Sequence, residues 1–455
     1  MSLVSINPAT GKVIKEYQQH SIRETRSIID KVAIAFNKWP LTAFNERADL
    51  LKRTAVVLRN KKEQWGKLMT LEMGKPLKES MAEIEKCAWA CEYYADWGSS
   101  FLKNEIIVTD ASKSFVTFQP LGVILAIMPW NFPFWQAFRC LVPALMAGNT
   151  VILKHASNVS GCALAIEDII REAGFPEDVF RTLLVPSAEV NKLIEHAAVK
   201  AVSLTGSTQA GKKVAAKAAG LIKKAVLELG GSDPYLILED ADLEEAAEIC
   251  VNSRLINTGQ SCIAAKRFIV VKKVADEFTG LMLEKMKLRK ADDPMNPNTV
   301  LGPMARTDLR DQLHLQVLKS MEAGAKCLLG GVVPETPGAW YLPTILTHVK
   351  PSMPAFDEEL FGPVAAIIEA KDEEQAIALA NDTIFGLGAA VFTRNKQRGE
   401  EIATTKLQAG ACFVNALVKS DPRLPFGGIK ESGYGRELGV FGIREFVNIK
   451  SVYIN

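Results

Sequence analysis

The chain has 455 residues, 48% hydrophobic and 23% charged, which is too long for one ordinary core and too apolar for a disordered or fibrous protein, so two or three domains are expected. A formal net charge of +2 gives no reason to expect nucleic acid or an anionic membrane as a partner. The eight cysteines contain no Cys-x-x-Cys pair, the start lacks a signal-peptide pattern and no apolar run could span a bilayer, so a cytoplasmic protein without a bound metal is expected.

The chain opens with a turn at Asn7-Pro8-Ala9-Thr10-Gly11. Helical patterns follow over 21–39, 45–61 and 78–98. In the last, Cys87 and Cys91 lie one turn apart beside Trp89 and Tyr94, which predicts a packed face, since no further metal ligands are near. Residues 106–109 and 114–118 are β-branched and aromatic around a polar turn and predict a hairpin. Its free edges would suit a partner subunit.

From 121 short apolar strands alternate with helices. The strands are predicted at 122–128, 150–154, 179–184, 201–204 and 225–228, and the helices at 135–147, 159–173, 188–197 and 208–219. This rhythm predicts a parallel, doubly wound sheet with ligands at the carboxyl ends of its strands. A second α/β pattern spans 234–430, with strands at 235–238, 267–271, 364–368, 389–392 and 411–414. Its helices are predicted at 242–256, 274–288, 306–322, 373–381 and 395–406. Residues 447–454 read as a strand able to pair with the hairpin of a neighbouring subunit.

Several segments could carry chemistry. Cys262 sits among small and polar residues, Asn257-Thr258-Gly259-Gln260-Ser261, a setting in which a substrate can reach a thiol. Gly206 and Ser207 follow an apolar strand and open a helix, where a phosphate can approach backbone amides; a plain capped turn reads equally well. Lys154 and Ser157 follow the second strand and offer donors where a carboxylate would select NAD, so they favour NADP. Glu228 ends a strand before two glycines and could be a structural carboxylate or a general base raised by burial. Asn131, in an aromatic turn, could donate to an oxyanion or satisfy its own backbone.

Taken together, Pro129-Trp130-Asn131-Phe132-Pro133, Thr205-Gly206-Ser207, Glu228-Leu229-Gly230-Gly231, Gly259-Gln260-Ser261-Cys262, Glu359-Leu360-Phe361-Gly362-Pro363 and Pro425-Phe426-Gly427-Gly428 resemble the aldehyde dehydrogenase superfamily over nearly the whole chain. The resemblance implies an α/β fold with a doubly wound cofactor-binding sheet, a second α/β catalytic domain and a small β oligomerisation hairpin. The corresponding segments are 1–103 and 121–230, then 231–435, then 104–120 with 436–455. It implies Cys262 as nucleophile, Asn131 with the Cys262 amide as oxyanion hole, and Glu228 as the base that activates water. Glu359 would hold the nicotinamide ribose and Phe361 would pack near the ring. Pro129, Trp130, Lys154, Ser157, Thr205, Gly206, Ser207 and Leu229 would line the rest of a site for NADP, or less well NAD.

Within the superfamily the chain looks most like the bacterial succinate-semialdehyde dehydrogenases. That implies an aldehyde substrate with a terminal carboxylate, and a homodimer or homotetramer. Another acidic or aliphatic aldehyde, such as glutarate semialdehyde, is the alternative. A thioester-forming relative that uses coenzyme A is disfavoured by Glu228, and a non-catalytic protein by the full set of catalytic residues. Arg139, eight residues past Asn131, is the expected carboxylate clamp, helped by Ser420, Ser261 and Trp135. The position six before the nucleophile is Ile256 and the position two after it is Ala264, so neither a second arginine nor a second cysteine is supplied there.

Overall fold

The computed structural model describes residues 2–455. An N-terminal hairpin, β1 (Ser2–Ile6) and β2 (Val13–Gln18), brackets the expected turn. Four helices follow: α1 (Ile22–Phe36), α2 (Phe44–Asn60), α3 (Lys62–Met73) and α4 (Leu77–Phe101). Ser21 closes a capping box with Glu24 and so fixes where α1 starts. The third helix was not legible as a separate element, because only Lys61 stands between it and α2. Cys87 and Cys91 lie fully buried in the core of this half, as expected of a packed face. The projecting hairpin is β3 (Glu105–Ile106) and β4 (Lys113–Pro120).

The alternating region forms β5 (Val123–Met128), α5 (Pro133–Met146), β6 (Thr150–His155), α6 (Ser160–Glu172), β7 (Phe180–Thr182), α7 (Val190–Glu195), β8 (Val199–Thr205), α8 (Thr208–Gly220) and β9 (Lys224–Glu228). Strand order is β9-β8-β5-β6-β7, all parallel. β5 and β6 are buried along their whole length, the pattern of strands covered on both faces. Met128, His155, Thr205 and Glu228 are therefore all carboxyl ends on one edge.

Residues 229–233 lead directly into the second sheet. It is built from β10 (Pro234–Ile237), α9 (Leu243–Leu255), β11 (Arg267–Val271), α10 (Lys272–Lys287), α11 (Thr307–Glu322), β12 (Lys326–Leu329), β13 (Thr344–Thr347), α12 (Pro354–Asp357), β14 (Val364–Ala370), α13 (Glu373–Asn381), β15 (Gly388–Phe392), α14 (Lys396–Glu401) and β16 (Ala411–Val414). Its order is β12-β13-β14-β11-β10-β15-β16, with only β12 antiparallel. β12 and β13, each four residues long, were not located from the sequence. The chain thus leaves the carboxyl edge of the first sheet and enters the amino edge of the second. The loops before β11 and β14 face the ends of β5, β8 and β9.

The C-terminal part departs from the expected division. β17 (Gly433–Tyr434) returns to the first sheet and pairs with β9, Gly433 opposite Glu228. α15 (Gly439–Glu445) packs on α4 and α5, and Leu438, Ile443 and Phe446 join the first core. Only β18 (Val447–Ile454) belongs with the hairpin. It pairs along its length with β4 of its own chain, not with a neighbour as expected, because the preceding helix delivers it beside that strand.

Candidate active site

A cleft of about 670 Å³ lies where the two sheets meet. Pro129, Trp130, Asn131, Thr205, Gly206, Ser207 and Leu229 line it from the first half, and Cys262, Glu359 and Phe361 from the second. Trp130 and Phe361 meet edge to face across it, with centroids 5.7 Å apart. The structure thus brings together most of the residues singled out in the sequence, from five separate loops.

The turn carrying Asn131 is held from below by α4. Glu83, buried there, accepts the backbone N–H of Phe134 and of Trp135, both at 2.9 Å, and pairs with Lys75. A carboxylate over the first turn satisfies orphan donors and the helix dipole together. His155 donates from Nε2 to the Pro133 carbonyl at 2.8 Å while its Nδ1 accepts from Ala156. Burial lowers its pKa to about 4, which keeps this tautomer neutral. Asn131, 4% exposed, donates from Nδ2 to the Gln260 carbonyl at 3.1 Å.

Cys262 lines the cleft, as expected of a thiol within reach of a substrate, while the loop before it is buried. Asn257, Thr258 and Gln260 are completely buried. Asn257 and Thr258 are left-handed, with φ of 51° and 55°, each strained for a residue with a Cβ. Tertiary bonds hold them there. Asn257 Nδ2 donates to the carbonyls of Asn131 and Gln260, its backbone N–H donates to Glu79, Thr258 Oγ1 donates to Gly302, and Arg254 donates to Gly259. Lys266 donates to the carbonyls of Ser261, Cys262 and Ala264, at 2.9, 2.7 and 3.2 Å. Cys262 reaches solvent only because it opens on the cleft.

Burial pushes the Cys262 thiol up to about 12, partly offset by the charges of Arg139 and Lys266. At rest it is a thiol, and it needs a base or an added positive charge to become a nucleophile. Glu228, 2% exposed, has neither oxygen hydrogen-bonded. Burial raises its pKa well above the carboxylate range, against the pull of Arg139. Once ionised, a carboxylate with a raised pKa is a stronger base toward water than an ordinary one. Glu359 accepts the Gly231 N–H at 3.1 Å and lies 3.6 Å from Lys266 Nζ. The paired glycines follow from this crowding: a Cβ on Gly230 would sit 2.5 Å from Glu359 Oε2, and one on Gly231 2.8 Å from the Cys262 carbonyl.

The cleft suits a dinucleotide. The backbone amides of Thr208 and Gln209, in the first turn of α8, have no acceptor among the described residues, and both residues line the cleft, as a diphosphate site requires. Lys154 and Ser157 do not line it. Lys154 is buried at the end of β6, lowered to about 8 by that burial, and donates to Ser187 Oγ at 3.3 Å. It forms no ion pair among the described residues, so its charge is available to a phosphate.

Arg139 departs from expectation. Its guanidinium is buried, ion-paired with Glu437, 3.4 Å from Thr205 Oγ1 and stacked on Phe426. The arginine expected to clamp a substrate carboxylate thus faces a buried carboxylate of its own chain. Its partner lies in the return to the first sheet, 298 residues later in the chain, and no local pattern announced it. Ser261 offers its carbonyl to Lys266, and Trp135 and Ser420 are joined by a 3.0 Å hydrogen bond. Glu83, Lys266 and Glu437 were missed because their roles depend on partners from distant segments.

Residues 2–452 match the family model described as "Aldehyde dehydrogenase family". The chain belongs to the aldehyde dehydrogenase family. This aldehyde dehydrogenase is 48% identical, over the full length of both chains, to a probable NADP(+) succinate-semialdehyde dehydrogenase of Synechocystis sp.. It is 44% identical, over 99% of its length and 97% of the relative's, to the succinate semialdehyde dehydrogenase [NAD(P)+] Sad of Escherichia coli. Among solved structures it resembles succinic semialdehyde dehydrogenase from Streptococcus pyogenes, in complex with NADP+, with a TM-score of 0.97, 36% identity and 99% coverage of each chain.

Proposed function

We propose that this aldehyde dehydrogenase oxidises succinate semialdehyde to succinate with NADP, and less well with NAD. The observation that carries the chemistry is the meeting of Cys262 and Asn131 in a cleft fit for a dinucleotide, with the buried Glu228 one residue before Leu229, which lines that cleft. The substrate and cofactor reading is supported by full-length similarity to relatives so named.

Cys262 gives up its thiol proton to solvent and adds as thiolate to the aldehyde carbon, and the oxyanion is held by Asn131 Nδ2 and the Cys262 amide. When bound, NADP supplies the acceptor for the hydride that this adduct gives up. Glu228 takes a proton from the water that cleaves the thioester left on Cys262, releasing acid and restoring the thiol. Glu359 and Phe361 would hold the nicotinamide end, the α8 amides the diphosphate, and Lys154 with Ser157 the adenosine end.

We further infer a homodimer or homotetramer in the cytoplasm. Both edges of the β18-β4-β3 sheet are free in the chain, and Ile106, Ile107, Val108, Ile449 and Tyr453 are exposed there, an edge that a second copy would cover. The segments 1–103 with 121–230, joined by β17 and α15, serve as the cofactor-binding domain, and the second sheet, from β10 to β16, as the catalytic domain.

A panel of aldehydes assayed in parallel with NADP and NAD, without coenzyme A, tests the reading. Free succinate with NADPH as the preferred product is expected. A preference for neutral aldehydes, or no acid without coenzyme A, would overturn it.

A further inference from the structure

Lys266 follows the nucleophile in the same turn and is completely buried. An ammonium has three protons to donate and accepts none. Nζ is surrounded by three carbonyls, those of Ser261 at 2.9 Å, Cys262 at 2.7 Å and Ala264 at 3.2 Å. All three protons are thus spent on the turn that carries Cys262. Glu359, at 3.6 Å, and Asp233 supply opposing charge, but all three carbonyls lie nearer than the Glu359 oxygen. Burying an ammonium is costly, and here the bonds that offset the cost go to backbone.

The Ser261 carbonyl matters most. It shares a trans peptide unit with the Cys262 N–H. In a planar trans unit the C=O and the N–H point in opposite directions. Fixing the Ser261 oxygen on the ammonium therefore turns the Cys262 N–H away from it. Cys262 lines the cleft and Lys266 does not, so the turn stands between Lys266 and the cleft. The N–H has no acceptor among the described residues. The carbonyl of Gln260, one unit earlier, accepts from Asn131 Nδ2 at 3.1 Å, which brings the other oxyanion donor to the same turn. A cation on the carbonyl oxygen also polarises the peptide and strengthens its N–H as a donor.

We propose that Lys266 is the positioning residue of the oxyanion hole, holding the Ser261–Cys262 peptide so that its N–H meets the oxyanion formed on Cys262. The proposal rests on the reading of Cys262 as the nucleophile and Asn131 as its oxyanion partner, and adds the residue that aims the second donor. Lys266 acts through the backbone, its protons being spent there. Its charge also favours the Cys262 thiolate, so thiolate formation and oxyanion binding have to be read separately.

Alkylation of Cys262 by iodoacetamide needs the thiolate and forms no oxyanion, whereas the burst of NADPH with aldehyde needs both. The ratio of burst rate to alkylation rate, each measured with NADP bound at the same pH, therefore isolates the oxyanion. Lys266→Met, apolar and of similar length, should lower this ratio about 10²-fold. Lys266→Gln keeps two donors on a shorter arm and should lose less, about 10-fold. A merely structural role would depress burst and alkylation together and leave the ratio where it was. A ratio within about threefold of wild type in a folded Lys266→Met enzyme, or in Lys266→Gln if the methionine variant does not fold, overturns the role of Lys266 alone. Asn131→Ala should also lower the ratio about 10²-fold; an unchanged ratio in that variant overturns the oxyanion hole and this proposal together.

Discussion

The side-chain amide of Asn131 donates to the Gln260 carbonyl at 3.1 Å, joining the end of β5 to the loop that carries Cys262. One Nδ2 proton is spent on this bond and the second remains for an oxyanion. Asn131→Ala removes both the donor and the tie. It should lower kcat by about 10²- to 10³-fold while the thermal unfolding midpoint falls only slightly. Steady-state kinetics beside a melting curve check this; an unchanged kcat would remove Asn131 from the oxyanion hole.

Glu228 serves only the second half of the reaction in this mechanism. Glu228→Gln should still give a burst of about one NADPH per site, while steady-state turnover falls roughly 10²- to 10⁴-fold. Rapid mixing, followed by mass spectrometry of the acyl group on Cys262, reads both. Loss of the burst itself would place Glu228 in thiol activation.

Arg139 and Glu437 form a buried ion pair, and breaking such a pair from one side leaves an uncompensated charge. Arg139→Met should cost about 3–5 kcal/mol of stability in urea unfolding. Adding Glu437→Gln should recover a large part of that loss. Additive losses in the double variant would show that the two residues do not act on each other.

His155 gives a pH prediction with a definite sign. Its pKa falls from 6.5 to about 4 on folding. Between those values the unfolded chain binds a proton that the native state refuses. Stability therefore drops as pH falls through this window, by about 3 kcal/mol in total, and is unaffected by this group above it. Denaturant midpoints of wild type and His155→Gln at pH 7.5 and pH 5 should converge toward the lower pH. Parallel curves would mean that His155 is not held neutral.

Much of the fold was readable because its signals are local. The parallel strands of both sheets are short apolar runs between helical periods, and most were located within two residues. The start of the first helix and the end of the strand at Glu228, before two glycines, were located as well. Cys262 opens on the cleft as expected, but the burial of the loop before it was not legible. Its polar residues face inward, and their bonds go to Asn131, Glu79 and Gly302, far away in the chain.

The sequence by itself determined the two α/β units and membership of the family, and singled out Cys262, Asn131 and Glu228 as the proposed chemistry, since each rests on short segments that carry their meaning locally. Tertiary structure alone decided how charge is shared. It gave Arg139 to Glu437 and set Lys266 over the carbonyls of the nucleophile loop. Charges interact through space, and a buried arginine is neutralised by whichever carboxylate the fold delivers within a few ångströms, however far away it lies in the chain.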